Sequence, residues 1–158
     1  INESQTINEI AFNKDITDLV SDYLGTKKFI VDGQIWFTFN DRKSKLSADN
    51  HNFGWHYDID DLHWVKVFIY LNNVDELSGP HEFIEGSHLL SGFRKIVMRR
   101  VENDKKFKKL GLNESKIITF TGQAGTTFIE DTFGYHRGID PVKNRAILQF
   151  TYRVGITQ

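Results

Sequence analysis

The chain contains no cysteine, which excludes disulfide bonds, zinc sites built on thiolates and catalysis by a cysteine nucleophile. It also lacks long apolar runs, and no stretch approaches the roughly 20 residues that a membrane-spanning helix needs. Proline is scarce, with only Pro80 and Pro141. The formal net charge of −1 gives no overall attraction to nucleic acid or to anionic membranes, so we expect neither as a partner.

The chain does contain enough apolar material for one globular domain. Its 158 residues are 39% hydrophobic and 13% aromatic, which predicts a single domain over 1–158. The first residue is Ile1 and not methionine, so we expect a trimmed or processed chain. A cytoplasmic location is expected, with a removed signal peptide as the alternative.

The residue pattern changes from helical to extended after an N-terminal helical segment, 1–26. Apolar residues recur at helical spacing in DITDLVSDYLG, with Asp15 as the expected N-cap and Gly25 as the expected C-cap. Five later segments are rich in β-branched and aromatic residues and are predicted strands: 27–40, 64–71, 116–120, 126–130 and 145–154. Gly33 is expected to bend or bulge the first of them. This order predicts a mainly β sandwich or barrel.

The last predicted strand has two unlike faces. Alternate positions form an apolar face, whereas the other face carries an arginine at each end, Arg145 and Arg153. Two arginines on an inner face favour a binding interior over a purely structural barrel.

The stretch GWHYDIDD, residues 54–61, holds a candidate pair of metal ligands. His56 and Asp58 are two residues apart, so in a strand they point the same way, about 7 Å apart along it. Because His-x-Asp is common by chance, the stretch alone leaves two interpretations open, half of a metal site or a polar strand end. Asp60 and Asp61 are expected to belong to a solvated turn without partners.

A second histidine and an arginine lie near the end of the chain, in DTFGYHRGIDPVKNRAILQF. His136 precedes Arg145 by nine residues. Two neutral imidazoles and one carboxylate can occupy one face of an octahedral iron(II) and leave adjacent positions open. An arginine nearby suits the second carboxylate of a metal-bound organic acid, because guanidinium binds carboxylate through two charge-assisted hydrogen bonds.

The order of these motifs resembles the phytanoyl-CoA dioxygenase family of Fe(II)- and 2-oxoglutarate-dependent oxygenases. The resemblance runs from about Trp36 to Val154. SGPHEFIEGSH is similar to the family segment NGxLxxxPGSH at Gly79, Gly86, Ser87 and His88, with Glu85 in place of its proline. The resemblance implies a mainly β fold, a double-stranded β-helix (jelly-roll, cupin-like barrel) with an N-terminal helix.

Carried over by position, the resemblance implies that the iron ligands are His56, Asp58 and His136. It implies that Arg145 binds the distal carboxylate of 2-oxoglutarate, with Arg153 as the rival. It further places two residues beside the cosubstrate: Phe68, and Asn40 at its metal-bound end.

The activity that the resemblance implies is that of a dioxygenase with Fe(II) as cofactor and 2-oxoglutarate and O2 as cosubstrates. It would hydroxylate a small-molecule substrate and release succinate and CO2. Related halogenases carry alanine or glycine in place of the carboxylate, so Asp58 favours hydroxylation over halogenation. The alternatives are a non-catalytic metal- or ligand-binding cupin-like barrel, and a metal-dependent isomerase or hydrolase on the same barrel.

The segment 93–111 collects eight basic residues within an expected insertion, 89–115, near the barrel mouth. Two interpretations stay open: recognition of an anionic or carrier-linked small-molecule substrate, or a solvated, mostly helical excursion. Three other histidines match no ligand spacing and are expected to be solvated: His51, His63 and His81. His88 either faces the site opening or serves its turn.

Overall fold

The computed structural model describes residues 4–40, 54–90, 93–101 and 104–155. The helices are α1 (Gln5–Ala11), α2 (Lys14–Leu24), α3 (Phe93–Val97) and α4 (Asp104–Lys109). The strands are β1 (Ile30–Thr38), β2 (Trp55–His56), β3 (Trp64–Tyr70), β4 (His81–Ile84), β5 (Arg100–Val101), β6 (Ile117–Phe120), β7 (Thr127–Glu130), β8 (His136–Gly138) and β9 (Arg145–Arg153). Within the described ranges, no helix combines the length and the apolar character needed to cross a membrane.

The strands form two antiparallel sheets. The first sheet has the order β1-β9-β3-β7 and the second the order β5-β2-β8-β4-β6. Successive strands alternate between the sheets over much of the chain, which is the jelly-roll arrangement. The predicted mainly β double-stranded β-helix with an N-terminal helix is therefore confirmed.

Both N-terminal helices cover the outer face of the first sheet. Ala11, Val20 and Leu24 pack in one buried cluster with the alternate residues of β3 and β9: Val65, Val67, Leu148, Phe150 and Tyr152. Burying one face of α2 in this way is what holds so short a helix in place.

The helix caps are only partly as predicted. Gly25 ends α2 with a φ of 68°, which confirms the predicted C-cap. The predicted N-cap Asp15 is wrong, because the side chain of Asn13 accepts the hydrogen bond from the backbone N–H of Asp15 at 2.9 Å. The helix thus begins at Lys14, one position before the residue expected to cap it.

Gly33 does not form a bulge in the first strand, so that part of the prediction is wrong. It pairs with Phe150 in a register that runs unbroken from Ile30 opposite Arg153 to Thr38 opposite Arg145. An extra residue in β1 would turn every following side chain to the other face, and the long pairing with β9 keeps that register.

The second sheet has an apolar outer face, which decides where its histidines point. Trp55 and Tyr135 lie in a buried cluster with Phe107 of α4. Because side chains alternate along a strand, His56 and His136 point the opposite way, into the space between the sheets. Aromatic rings of both sheets fill part of that space, including Phe68, Tyr70, Phe120 and Phe128.

The basic segment is not only a helical excursion. Between its two helices it supplies β5, which pairs with β2 so that Val101 lies opposite Trp55 and Arg100 opposite His56. The prediction of a mostly helical segment missed this strand, which is two residues long and too short for any periodicity to indicate.

Candidate metal centre

The three predicted metal ligands lie together between the sheets. His56, Asp58 and His136 each offer one ligand atom, and these atoms lie within 4.8 Å of one another. The two histidines are opposite each other on β2 and β8, with ring centroids 4.4 Å apart. Nε2 of His136 is 3.6 Å from Oδ2 of Asp58. The backbone N–H of Asp58 donates to the carbonyl of Thr132 at 2.8 Å, which fixes the chain beside β8.

Both histidines are oriented by the same local motif. Nδ1 of His56 bonds the carbonyl of Gly54 at 2.8 Å, and Nδ1 of His136 bonds the carbonyl of Gly134 at 3.0 Å. A carbonyl oxygen can only accept, so each Nδ1 carries the proton and each Nε2 keeps its lone pair for a metal. The sequence shows this repeat as GWH and GYH, glycine-aromatic-histidine, a signal that sequence analysis missed.

One glycine of the repeat is required by close packing. A Cβ on Gly134 would lie 2.4 Å from Cε2 of Phe83 and 2.9 Å from Oγ of Ser87. That Oγ already accepts the backbone N–H of Tyr135 at 2.7 Å. The turn at the GSH motif therefore supports the segment that carries His136.

Burial sets the protonation states of the cluster. It lowers the pKa of His136 to about 4 and also lowers the pKa of His56, so both imidazoles are neutral at neutral pH. Burial alone would raise the pKa of Asp58, but His136 and Lys66 outweigh it and hold that pKa below its usual range. Two neutral imidazoles and one carboxylate result, the set that suits iron(II).

Lys66, which no sequence motif singles out, lies on the inner face of β3. Its buried Nζ donates to Oδ2 of Asp58 and to Oδ2 of Asp60, each at 2.7 Å. The prediction that Asp60 has no partner is therefore wrong. Asp61 accepts the adjacent N–H of Leu62 and forms no ion pair within the described ranges. The lysine holds the carboxylate of Asp58 through one oxygen. The signal for it was a single charge within the apolar strand WVKVFIY.

His81 is buried, so the prediction that it is solvated is wrong. The register of β4 places it on the inner face, where its ring lies nearly parallel to that of His136 at 5.5 Å. Its Nε2 is 2.8 Å from Oε2 of buried Glu130. His63 is exposed, as predicted. His51 lies outside the described residues.

Arg145 is buried, and no counter-charge pairs with it among the described residues. It is 9% exposed, donates to the carbonyl of Gly79 and reaches Oγ1 of Thr38 at 3.4 Å, while its Nε has no hydrogen-bond partner in the described structure. No described carboxylate forms an ion pair with it. Burial lowers its pKa. Such a cation favours an anionic ligand, because an unpaired buried charge is costly.

The rival arginine is already paired. Arg153 contacts Asp32 through Nε at 3.0 Å and through Nη2 at 2.8 Å, and its side chain is 35% exposed. It lies at the opposite end of β9 from Arg145.

The remaining predicted residues lie in different surroundings, and their roles stay predictions. Phe68 is buried on the inner face, 5.1 Å from the rings of both His81 and Phe128. Asn40 is exposed and donates from its side chain to the carbonyl of Val142 at 2.6 Å, which ties the end of β1 to the loop before β9. His88 is half-buried, and its Nδ1 has no partner within the described ranges.

No protein-family model matches the chain, and no curated protein matches it in sequence. Solved structures, in contrast, do match the chain in fold. The epimerase SnoN in complex with Fe3+, alpha ketoglutarate and nogalamycin RO matches with a TM-score of 0.71 and 16% identity, over 95% of this chain and 59% of SnoN. This chain shares its fold. The non-heme monooxygenase ThoJ, as a nickel complex, matches with a TM-score of 0.61 and 17% identity, over 95% of this chain and 54% of ThoJ.

A third neighbour, apo HygX from Streptomyces hygroscopicus, matches with a TM-score of 0.64 and 15% identity, over 95% of this chain. The chain spans 54% to 67% of the lengths of these three neighbours. SnoN is further described as a non-heme alpha ketoglutarate dependent epimerase from nogalamycin biosynthesis.

The buried titratable groups predict how stability changes with pH in the metal-free protein. The pKa of His136 is about 4 and that of His81 about 3, against 6.5 for an ordinary histidine, so below pH 6.5 the unfolded chain binds more protons and stability falls. Burial raises the pKa of Glu130 to about 8 from 4.5, so the folded protein binds the extra proton there and opposes that loss. The histidines outnumber the glutamate, and we expect a net loss of stability from pH 6.5 to 4.5.

Urea unfolding at pH 7, 6 and 5 checks this, with two variants of opposite expected effect. Glu130→Gln removes the group that opposes the loss, so the slope of the unfolding free energy against pH should become steeper by the equivalent of roughly one proton. His81→Leu should make that slope shallower by a similar amount. If the unfolding free energy of wild type and of Glu130→Gln changes equally with pH, the raised pKa of Glu130 is wrong.

Proposed function

We propose that the chain carries the catalytic centre of an Fe(II)- and 2-oxoglutarate-dependent dioxygenase that hydroxylates a small molecule. The observation that carries the proposal is Arg145, a buried cation whose Nε has no hydrogen-bond partner among the described residues. Because Leu148, Phe150 and Tyr152 form the outer face of β9, Arg145 lies on the inner face, toward the sheet that carries His56 and His136. His81 lies within electrostatic reach of both Arg145 and the cluster of candidate ligands, because the charges of Arg145 and of Asp58 both shift the pKa of His81. A metal-chelating acid with a second carboxylate would bind the metal at one end and pair with the guanidinium of Arg145 at the other.

Each residue then has a defined task. His56, Asp58 and His136 would hold the iron, which with 2-oxoglutarate and O2 supplies the oxidising power to hydroxylate a C–H bond and releases succinate and CO2. The carbonyls of the glycine-aromatic-histidine motifs orient the two imidazoles, and Lys66 orients Asp58.

The part of the interior around Arg145 would bind the cosubstrate and shield it from water. The guanidinium of Arg145 would neutralise the distal carboxylate, with the hydroxyl of Tyr70 beside it. The buried rings of Phe68 and Phe128 would help to keep water from the bound cosubstrate.

The solved neighbours support this class of chemistry. SnoN binds Fe3+ and alpha ketoglutarate, and ThoJ is a non-heme monooxygenase. SnoN is an epimerase, so the shared fold by itself leaves the outcome of the oxidation open. Hydroxylation is our choice because Asp58 occupies the position that halogenases leave without a carboxylate.

The proposal predicts a visible metal-to-ligand charge-transfer band when iron(II) and 2-oxoglutarate are added to the protein without oxygen. Oxygen should then produce succinate, faster with a true substrate. A folded protein that gives no band would overturn the proposal. Iron(II) binding without any response to 2-oxoglutarate would instead favour the non-catalytic metal-binding alternative.

A further inference from the structure

Five residues form one row across the second sheet. Register pairs Arg100 with His56, His56 with His136, His136 with Phe83, and Phe83 with Ile118. Residues directly opposite each other in antiparallel strands point to the same face. The row therefore faces the interior, with the two histidines at its centre.

One end of the row is cationic and accessible. Val101, the neighbour of Arg100 in β5, is buried in the outer cluster with Trp55, so Arg100 lies on the inner side. Arg100 is exposed, and its charge contributes to the lowered pKa of His56. Its neighbour Arg99 donates from Nε to the backbone carbonyl of Tyr57 at 3.1 Å.

The other end of the row is apolar. Phe83 is half-buried and packs so closely on the chain before His136 that only Gly134 fits there. Ile118, on the edge strand β6, is 41% exposed. The ring of His88 stacks on Phe83 with centroids 6.5 Å apart. A ligand lying along the row would thus meet a guanidinium, then the metal ligands, then an apolar surface.

We propose that the primary substrate is an amphipathic small molecule with an anionic oxygen group, a carboxylate or a phosphate, which Arg100 binds. Its apolar part lies on Phe83 and Ile118, and the carbon to be oxidised lies in front of His56 and His136. Since neighbouring strands are about 4.8 Å apart, the anionic group lies roughly 5 to 10 Å from that carbon. This inference rests on the proposed function and names its substrate class.

Arg100 and Arg145 have separate tasks in this assignment. Arg145 is buried, is held by Gly79 and lies on the first sheet, where it suits the cosubstrate that stays within the fold. Arg100 is exposed on an edge strand of the second sheet, where it suits the molecule that enters and leaves. Guanidinium binds carboxylate and phosphate with the same forked geometry, so both groups must be tested.

The experiment uses the anaerobic complex of protein, iron(II) and 2-oxoglutarate. Three probes of similar apolar length are titrated at up to millimolar concentration: 4-phenylbutyrate, 3-phenylpropyl phosphate and the uncharged 4-phenylbutanol. Binding is followed by calorimetry and by perturbation of the charge-transfer band. At least one anion should bind wild type more tightly than the alcohol, and the tighter anion identifies the group.

The variants decide whether Arg100 is responsible. Arg100→Gln should weaken binding of the preferred anion roughly ten-fold or more, because a charge-assisted hydrogen bond is lost, and Arg100→Lys should retain part of it. Lys108→Gln removes an equal charge from an exposed position of α4 and should not change anion binding. Unchanged binding in Arg100→Gln, equal binding of the alcohol, or no anion binding would overturn the inference. The band itself must persist in every variant, and its absence from wild type would instead count against the proposed function.

Discussion

Replacing Asp58 by alanine is expected to abolish the charge-transfer band and to weaken iron(II) binding by roughly 100-fold or more. Even the loss of a residue that only orients a ligand typically costs 10- to 100-fold, and this change removes a ligand itself. His136→Ala should have the same effect, because it removes the ligand opposite His56. Anaerobic titration with iron(II), followed by 2-oxoglutarate, measures both effects.

The matched control is Asp60→Asn. It removes the same charge and the other carboxylate partner of Lys66, but it leaves the three-residue cluster intact. The control should keep the band and bind iron(II) nearly as wild type does, while thermal unfolding confirms that each variant is folded. A band that survives in Asp58→Ala, or that disappears equally in Asp60→Asn, would show that the ligand assignment is wrong.

Replacing Arg145 by glutamine is expected to raise the Kd for 2-oxoglutarate by roughly 100-fold and to leave iron(II) binding intact. Two charge-assisted hydrogen bonds are lost, each of which contributes about 1.5 kcal/mol or more. Arg153→Gln should raise the Kd less than about three-fold, because Arg153 is half-exposed and already bonded to Asp32. Titration of the charge-transfer band with 2-oxoglutarate measures both variants.

Stability separates a binding role of Arg145 from a structural one. A buried charge without a counter-charge destabilises the fold, so Arg145→Gln should leave the unfolding temperature of the metal-free protein unchanged or raise it. A lower unfolding temperature with an unchanged Kd would make Arg145 a structural residue. If Arg153→Gln has the larger effect on the Kd, the carboxylate anchor lies at the other end of β9.

The part of the site that the sequence predicts consists of residues with a local signal. His56 and Asp58 are separated by the spacing that places both on one side of a strand, and His136 belongs to a motif in the same order as in the resembling family. The long strands β3 and β9 were predicted within one residue at each end because they carry continuous patterns of β-branched and aromatic residues.

The part that was missed depends on contacts that no local sequence pattern encodes. Nothing near Lys66 in the sequence indicates that its Nζ reaches back to Asp58 and Asp60. His81 matches no ligand spacing and is therefore predicted to be solvated, yet pairing with β8 turns it toward Glu130. Strands of two to four residues have too few positions to establish a period, so their partners could not be predicted.

In the proposed enzyme, strand β5 would separate the choice of substrate from the oxidation itself. It is two residues long and pairs only with β2 among the described strands, and it is carried on a segment that supplies none of the three residues of the metal cluster. In the proposed enzyme, substitution of Arg100 would exchange the side chain opposite His56 and leave the three candidate metal ligands in place. New substrates would then arise through this exposed position, while buried Val101 and Phe107 of the same segment keep the second sheet packed.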